Sequence, residues 1–475
     1  MTFSEYFRLN ASQGELDFVN VDPARDIKLF VDPYAIQINA LDEDDPFYDC
    51  LLSFFSTLLD CLRLGDNERA KVLVGHLKEP KDTFLGYSKG KPRGHGVGDK
   101  QAMALIDAIR RSEAFRTGQL EDFSEAELFV EGVGPDKISD LSTNVLRQPL
   151  MSYTKSVCDI YDVQTRNVAM PPYWDAEEER WKSGYAEMPL INNLPVLLVP
   201  KSLVRRRLCL DSQEYYNYYL DYLQAELEPQ VSLASALRGK SGRVTKERVK
   251  EQYPFDKTQL AKFAQEHPGQ FENFKQIMKS ADGIDDNIID PDFVYSEATS
   301  ALSAEIRSLP SGKKDADKYE KLIQRAMTLL FWPRLTFPKA QRPLHQGRKR
   351  LDIEFWNYAK GGFWDDMRRD PRIRSRTIPV ECKNYSKDIS NEEFDQLNGR
   401  FGEQRGFLGL LFYRQVNNEK ALQARAHSFV NDNRGFLITI SDEELLSLLS
   451  VSRVERDQFT DNFFNRKFRN LIGFN

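Results

Sequence analysis

Between residues 350 and 383 two short runs alternate strictly between apolar and polar or charged side chains. In one, Leu351, Ile353 and Phe355 alternate with Arg350, Asp352 and Glu354; in the other, Ile378, Val380 and Cys382 alternate with Pro379, Glu381 and Lys383. A period of two belongs to a β-strand, so each run buries one face and leaves charge on the other. An amphipathic helix precedes them: Tyr319, Leu322, Ile323, Ala326, Met327 and Leu330 recur at helical spacing, and Pro333 stops the pattern. After them, Ser390 and Glu393 form a capping box, Phe394, Leu397 and Phe401 share one helical face, and Gly406 is the expected terminal glycine. FLGLLFYR then reads as a fully buried strand, followed by a helix around ALQARAHSFVND, a strand GFLITIS and a helix DEELLSLLS. The order α-β-β-α-β-α-β-α predicts an α/β unit, a mixed sheet flanked by helices.

If the two charged strands pair in register, Asp352, Glu381 and Lys383 converge. Two carboxylates held a few ångströms apart repel unless a cation lies between them. An all-oxygen donor set with room for water suits Mg²⁺, and a neighbouring lysine can position a water or neutralise charge on a phosphoryl group. The alternative is a wet surface cluster of salt bridges.

These residues, in this order of elements, resemble the PD-(D/E)xK nuclease superfamily, the restriction-endonuclease-like fold with its αβββαβ core. Asp352 stands at the first motif position, after Leu351 where the motif has proline, and Glu381-Cys382-Lys383 forms the second. The resemblance spans about residues 315–450. It implies that Asp352, Glu381 and the Cys382 carbonyl hold Mg²⁺, with Mn²⁺ as a substitute, and that Lys383 serves the attacking water. It further implies an assisting Glu320 on the first helix and, as in the Mrr-like branch, Gln396 on the helix after the lysine, with Arg400 one turn on. The activity implied is DNA endonuclease, in a bacterial restriction or antiphage defence role. The alternatives are an RNA or structure-specific nuclease of the same fold and a non-enzymatic nucleic-acid-binding scaffold.

Charge supports a polyanionic substrate locally, although the whole chain carries a net charge of −6. From Arg334 to Lys387 there are fourteen basic residues against six acidic ones. Many of them fall in the 28 residues between Asp352 and Glu381, so Arg368, Arg369, Arg372, Arg374 and Arg376 are expected to contact DNA, with Arg400.

The polar segment 308–318 reads as a linker, which divides the chain into an α+β domain over 1–165, a mostly helical sensing region over 166–310, and the nuclease-like domain over 311–475. PVLLVP at 195–200 is expected as a strand and EYYNYYLDYLQAELE as a helix. GHGVGDKQ from Gly94 and EGVGPDKI from Glu131 place glycines before helices, as helix-hairpin-helix DNA contacts do. No GxxxxGK[ST] occurs, so energy-driven translocation calls for a partner ATPase or helicase. Cleavage of both strands favours a homodimer. No apolar run approaches the roughly 18 residues of a membrane span and the N-terminus lacks a signal-peptide pattern, so no membrane association and a cytoplasmic location are expected. Five cysteines without CxxC spacing exclude a zinc ribbon.

Overall fold

The structure, a computed structural model of the 475-residue chain, describes residues 1–40, 45–86, 99–228, 244–279, 283–341, 352–384 and 387–473. Its first half is built mainly from helices. The longest, Pro46–Leu64, starts where the Asp45 carboxylate accepts the Phe47 and Tyr48 amides and ends at Gly65, which takes the left-handed conformation at φ 77°. Helices Pro135–Val145 and Arg147–Ile160 pack beside it, and the tyrosine-rich helix Ser212–Leu227 buries Tyr215, Tyr216 and Tyr219.

The middle region departs from expectation in two places. The middle region, expected to be mostly helical, opens with a long antiparallel ribbon, Arg166–Asp175 against Arg180–Met188. Most of its side chains are at least partly exposed on both faces, so it has no apolar alternation to read. Residues 195–200 are not a strand of a sheet. Only Leu194 and Pro195 join a ladder, with Leu190–Ile191. Val196 to Val199 are fully buried, and the Val196, Leu197 and Leu198 amides donate to Pro189 O (3.1 Å), Asp82 O (2.8 Å) and Thr154 Oγ1 (3.0 Å). Apolar composition signals burial there, while the backbone groups find separate partners.

The second half is a layered unit. Its elements are α1 (Tyr295–Ser308), α2 (Ala316–Phe331), β1 (Leu335–Gln341), β2 (Asp352–Asn357), α3 (Gly362–Arg369), β3 (Thr377–Lys383), α4 (Asn391–Asn398), β4 (Leu408–Tyr413), α5 (Glu419–Asn431), β5 (Phe436–Ser441), α6 (Asp442–Leu449) and α7 (Arg456–Leu471). The sheet order is β5-β4-β3-β2-β1. β1, β2 and β3 are antiparallel, whereas β3, β4 and β5 run parallel. This is a mixed α/β sheet as expected, with β1, α3 and α7 in addition. β1 escapes a pattern search because it carries Pro338 and a register break between Thr336 and Lys339. The helix after β3 keeps its capping box but ends at Asn398, and Gly406, at φ 103°, serves the turn that follows.

Apolar packing divides the chain near residue 290. One core runs from Phe3 to Ile289 and takes in Trp332, Phe337 and Tyr358; the other runs from Phe293 to Leu471. Residues 1–165 and most of 166–310 therefore share one interior, and α1 belongs with the sheet. The 308–318 segment is short and tethered: Asn384 Nδ2 donates to Pro310 O (3.2 Å) and Gly312 O (2.9 Å), and Gly312 N donates to Asn384 O (2.6 Å). Between the halves, Arg325 of α2 pairs with Glu15 (2.6 Å) and with Glu305 of α1 (2.9 Å).

Candidate active site

Strand pairing decides which charges meet. Ile353 faces Val380 and Phe355 faces Ile378 across the antiparallel β2–β3 pair. Extending that register by one position sets the Asp352 backbone opposite Glu381. Residues two apart share a face, so Glu381 and Lys383 lie on the same side of β3 and Cys382 on the other.

At the end of β3 the charges form a closed group. The Lys383 ammonium contacts Glu381 Oε1 and donates to Gln396 Oε1 of α4 at 3.2 Å. The Arg400 guanidinium stands 3.2 Å from Glu381 Oε2. Glu381 and Lys383 are only 2 % and 6 % exposed, so this pairing is made where water competes poorly. α4 delivers Gln396 because the Ser390–Glu393 capping box fixes its start while Phe394 and Leu397 are buried. Arg400 follows just past the helix end.

Cys382 and Glu320 belong to the other side of the sheet. Burial, with the charges of Glu320 and Glu381, pushes the Cys382 thiol well above its ordinary pKa, so the sulfur stays protonated and inert. Glu320, on α2, thus acts electrostatically on the Cys382 side of β3. Tyr319 beside it donates to Asp442 Oδ1 at 2.7 Å. Sequence reasoning assigned no role to Glu354, a further buried carboxylate two residues from Asp352. It accepts from Thr377 Oγ1 at 2.7 Å and has Arg405 at 3.6 Å, contacts that tie β2 to β3. Only the strand alternation hinted at it.

The arginines between the two strands lie away from this group. β2 leads away from Asp352 and β3 leads toward Lys383, so the connection 358–376 sits at the opposite end of both strands, about 20 Å from Lys383. It contains α3, anchored by Phe363 and Trp364 against Phe464 of α7, at ring distances of 5.4 and 4.8 Å. Arg368 and Arg369 pair with Asp365 at 2.8 and 2.9 Å, and Arg372 pairs with Asp370 at 3.0 Å. Arg374 sits in the turn at φ 47°, and Arg376 closes it through its amide to Arg374 O. Acids within the segment, and Asp457 and Asp461 of α7 against Arg334, absorb much of the local positive charge. Arg342, Arg348, Lys349 and Arg350 lie outside the described residues.

Of the two glycine-led openings, Gly94 to Gly98 also lie outside the described residues. The other precedes helix Pro135–Val145, and its surroundings are acidic. Burial, then Asp136 and Glu79, push the half-buried Asp140 carboxyl up from 3.8 to about 7. That environment opposes a DNA backbone. Because the fold holds this proton more tightly than the unfolded chain, Asp140 costs stability progressively as pH rises from about 4 through 7. Asp140→Asn is therefore expected to be more stable than the parent at pH 8 and to converge with it near pH 4, read from melting temperatures across that range. A less stable variant at pH 8 would contradict the assignment.

Over residues 8–211 the chain matches a family model described as a domain of unknown function (DUF8370). That span lies within the first core and ends before the sheet. No curated protein and no solved structure matches the chain.

Proposed function

We propose that the C-terminal unit is a metal-dependent nuclease of the PD-(D/E)xK kind that hydrolyses phosphodiester bonds in DNA, and that the first 289 residues serve recognition or control. The observation that carries this reading is the buried Glu381–Lys383 pair at the end of β3, with the half-buried Gln396 and Arg400 on it and the Asp352 backbone across from Glu381 in register. The succession α2, β1, β2, β3, α4, β4, with α3 inserted before β3, supports it by giving the αβββαβ order of that superfamily.

The donor set fits Mg²⁺ or Mn²⁺. Glu381 Oε2 is buried and faces the Arg400 guanidinium at 3.2 Å without a hydrogen bond, so a divalent ion would take the place of that guanidinium there, and Asp352 and the Cys382 carbonyl would complete an oxygen-only set. A bound divalent ion would polarise the phosphate and lower the pKa of a water. Lys383, held by Gln396, would orient that water and offset charge on the phosphate, and Arg400 offers a second positive charge. Glu320 acts from the far side of the sheet through its field. A restriction or antiphage role, a homodimer that cuts both strands and a partner ATPase are extensions of the same proposal.

The test is incubation of the purified protein with supercoiled plasmid in Mg²⁺ or Mn²⁺, with chelator controls and a parallel RNA substrate. Metal-dependent nicking of DNA is expected; cleavage confined to RNA would move the substrate class, and silence on both would sink the proposal. The arginines on and after α3 are expected to matter little: Arg368→Ala/Arg369→Ala/Arg372→Ala should leave the salt dependence of DNA binding unchanged, because those charges are already paired. Loss of roughly one to three ions from the slope would return them to the interface.

A further inference from the structure

A cavity of about 590 Å³ lies where the two halves meet. Its walls come from helices Pro46–Leu64 and Arg147–Ile160, from the turn of the ribbon, and from β1 and β2. Five aromatic side chains line it: Phe47, Tyr153, Phe337, Trp356 and Tyr358. Phe337 is central. It stacks on Phe47 (5.3 Å, 25°) and meets Tyr153 and Tyr358 edge-on at 5.8 and 5.5 Å. It adopts φ 50° at the register break of β1, a strained state for a bulky residue, and that bend sets its ring among these aromatics.

Polar groups at the cavity are of both signs. Lys339 holds its ammonium 5.1 Å over the Trp356 ring, while Asp49 and Glu177 stand among the lining residues with Asp175, whose carboxylate is held by Lys182 and by the Glu177 and Glu178 amides. A cation already covers Trp356, so a second, organic cation is disfavoured. A flat neutral heterocycle with acceptors on one edge and amino donors on another matches this arrangement.

We infer that the cavity is a stacking pocket for a single nucleobase, supplied either by a free nucleoside or by an unstacked nucleotide of a nucleic-acid strand. Its use on a strand rests on the nuclease reading; its affinity for a nucleoside does not. Trp356 pairs with Thr377, which shares a face of β3 with Glu381 four residues on and about 13 Å away, so a strand held at Glu381 passes within reach of the pocket. Base stacking on aromatic side chains tolerates every base, and withdrawing a base from a duplex selects for damaged, mismatched or single-stranded sites.

Calorimetric titration of the full chain with adenosine, guanosine, cytidine and thymidine tests the pocket. At least one nucleoside is expected to bind at one site, about tenfold more weakly in Lys339→Ala and in Trp356→Ala, with Trp356→Phe retaining most affinity and Glu381→Gln all of it. The source is read with single-stranded oligonucleotides carrying 2-aminopurine, in chelator. Quenching relieved by Lys339→Ala and by excess nucleoside assigns the pocket to a strand; nucleoside binding without quenching assigns it to a free ligand. Absence of both, or tighter binding of tetramethylammonium than of any nucleoside, overturns the inference. Nucleoside binding in a protein that cleaves no plasmid would leave the pocket standing and remove the nuclease reading.

Discussion

Cleavage of plasmid by Lys383→Ala is expected to fall by at least about a hundredfold, the scale on which a positioned proton-transfer or charge-stabilising group contributes. The structure adds a second expected result. Lys383 contacts a carboxylate that is only 2 % exposed, so its removal leaves Glu381 with Arg400 as its remaining cation. Breaking one side of such a buried pair costs about 3–5 kcal/mol, less where another partner remains. Lys383→Ala should therefore lower the denaturation midpoint as well as the rate. Glu381→Gln/Lys383→Met separates the two effects: removing both charges is expected to restore much of the stability while activity stays lost. Recovery of cleavage in the double variant would show that the pair is architectural.

Unfolding of Arg325→Ala is expected at distinctly lower denaturant than the parent, by about 3–5 kcal/mol, the penalty for leaving a buried charge unpaired. Arg325 sits on α2 at the seam between the two cores, with side-chain exposure of 7 %, and holds Glu15 (4 % exposed) from the first core and Glu305 from α1. Deleting the guanidinium leaves the buried Glu15 carboxylate without a cation, held only by the Ser12 amide and hydroxyl at its other oxygen. Arg325→Ala/Glu15→Gln should recover part of the loss, since the stranded charge is then gone. Guanidinium denaturation followed by circular dichroism reads both. An undiminished midpoint in Arg325→Ala would mean that water reaches Glu15 and that the two halves are joined by apolar contact alone.

The sheet and its charged strand ends could be read from local pattern. Alternation of Ile378, Val380 and Cys382 with Glu381 and Lys383 determines which side chains share a face whatever the rest of the chain does, because the pleat has a period of two. The capping box at Ser390 likewise fixes where α4 begins and so places Gln396 on it, whereas Arg400 lies just past the helix end. What local pattern could not decide was pairing across distance. That Asp352 stands opposite Glu381 depends on the register of β2 against β3, and that Arg368, Arg369 and Arg372 stand at the far end depends on strand direction. Their acids, Asp365 and Asp370, were already in the sequence, but only folding showed them bonded to those arginines. The boundary near 290, the bent Phe337 and the aromatic cavity come from packing between segments hundreds of residues apart. Burial energy there depends on which surfaces meet, and no single stretch of sequence records that.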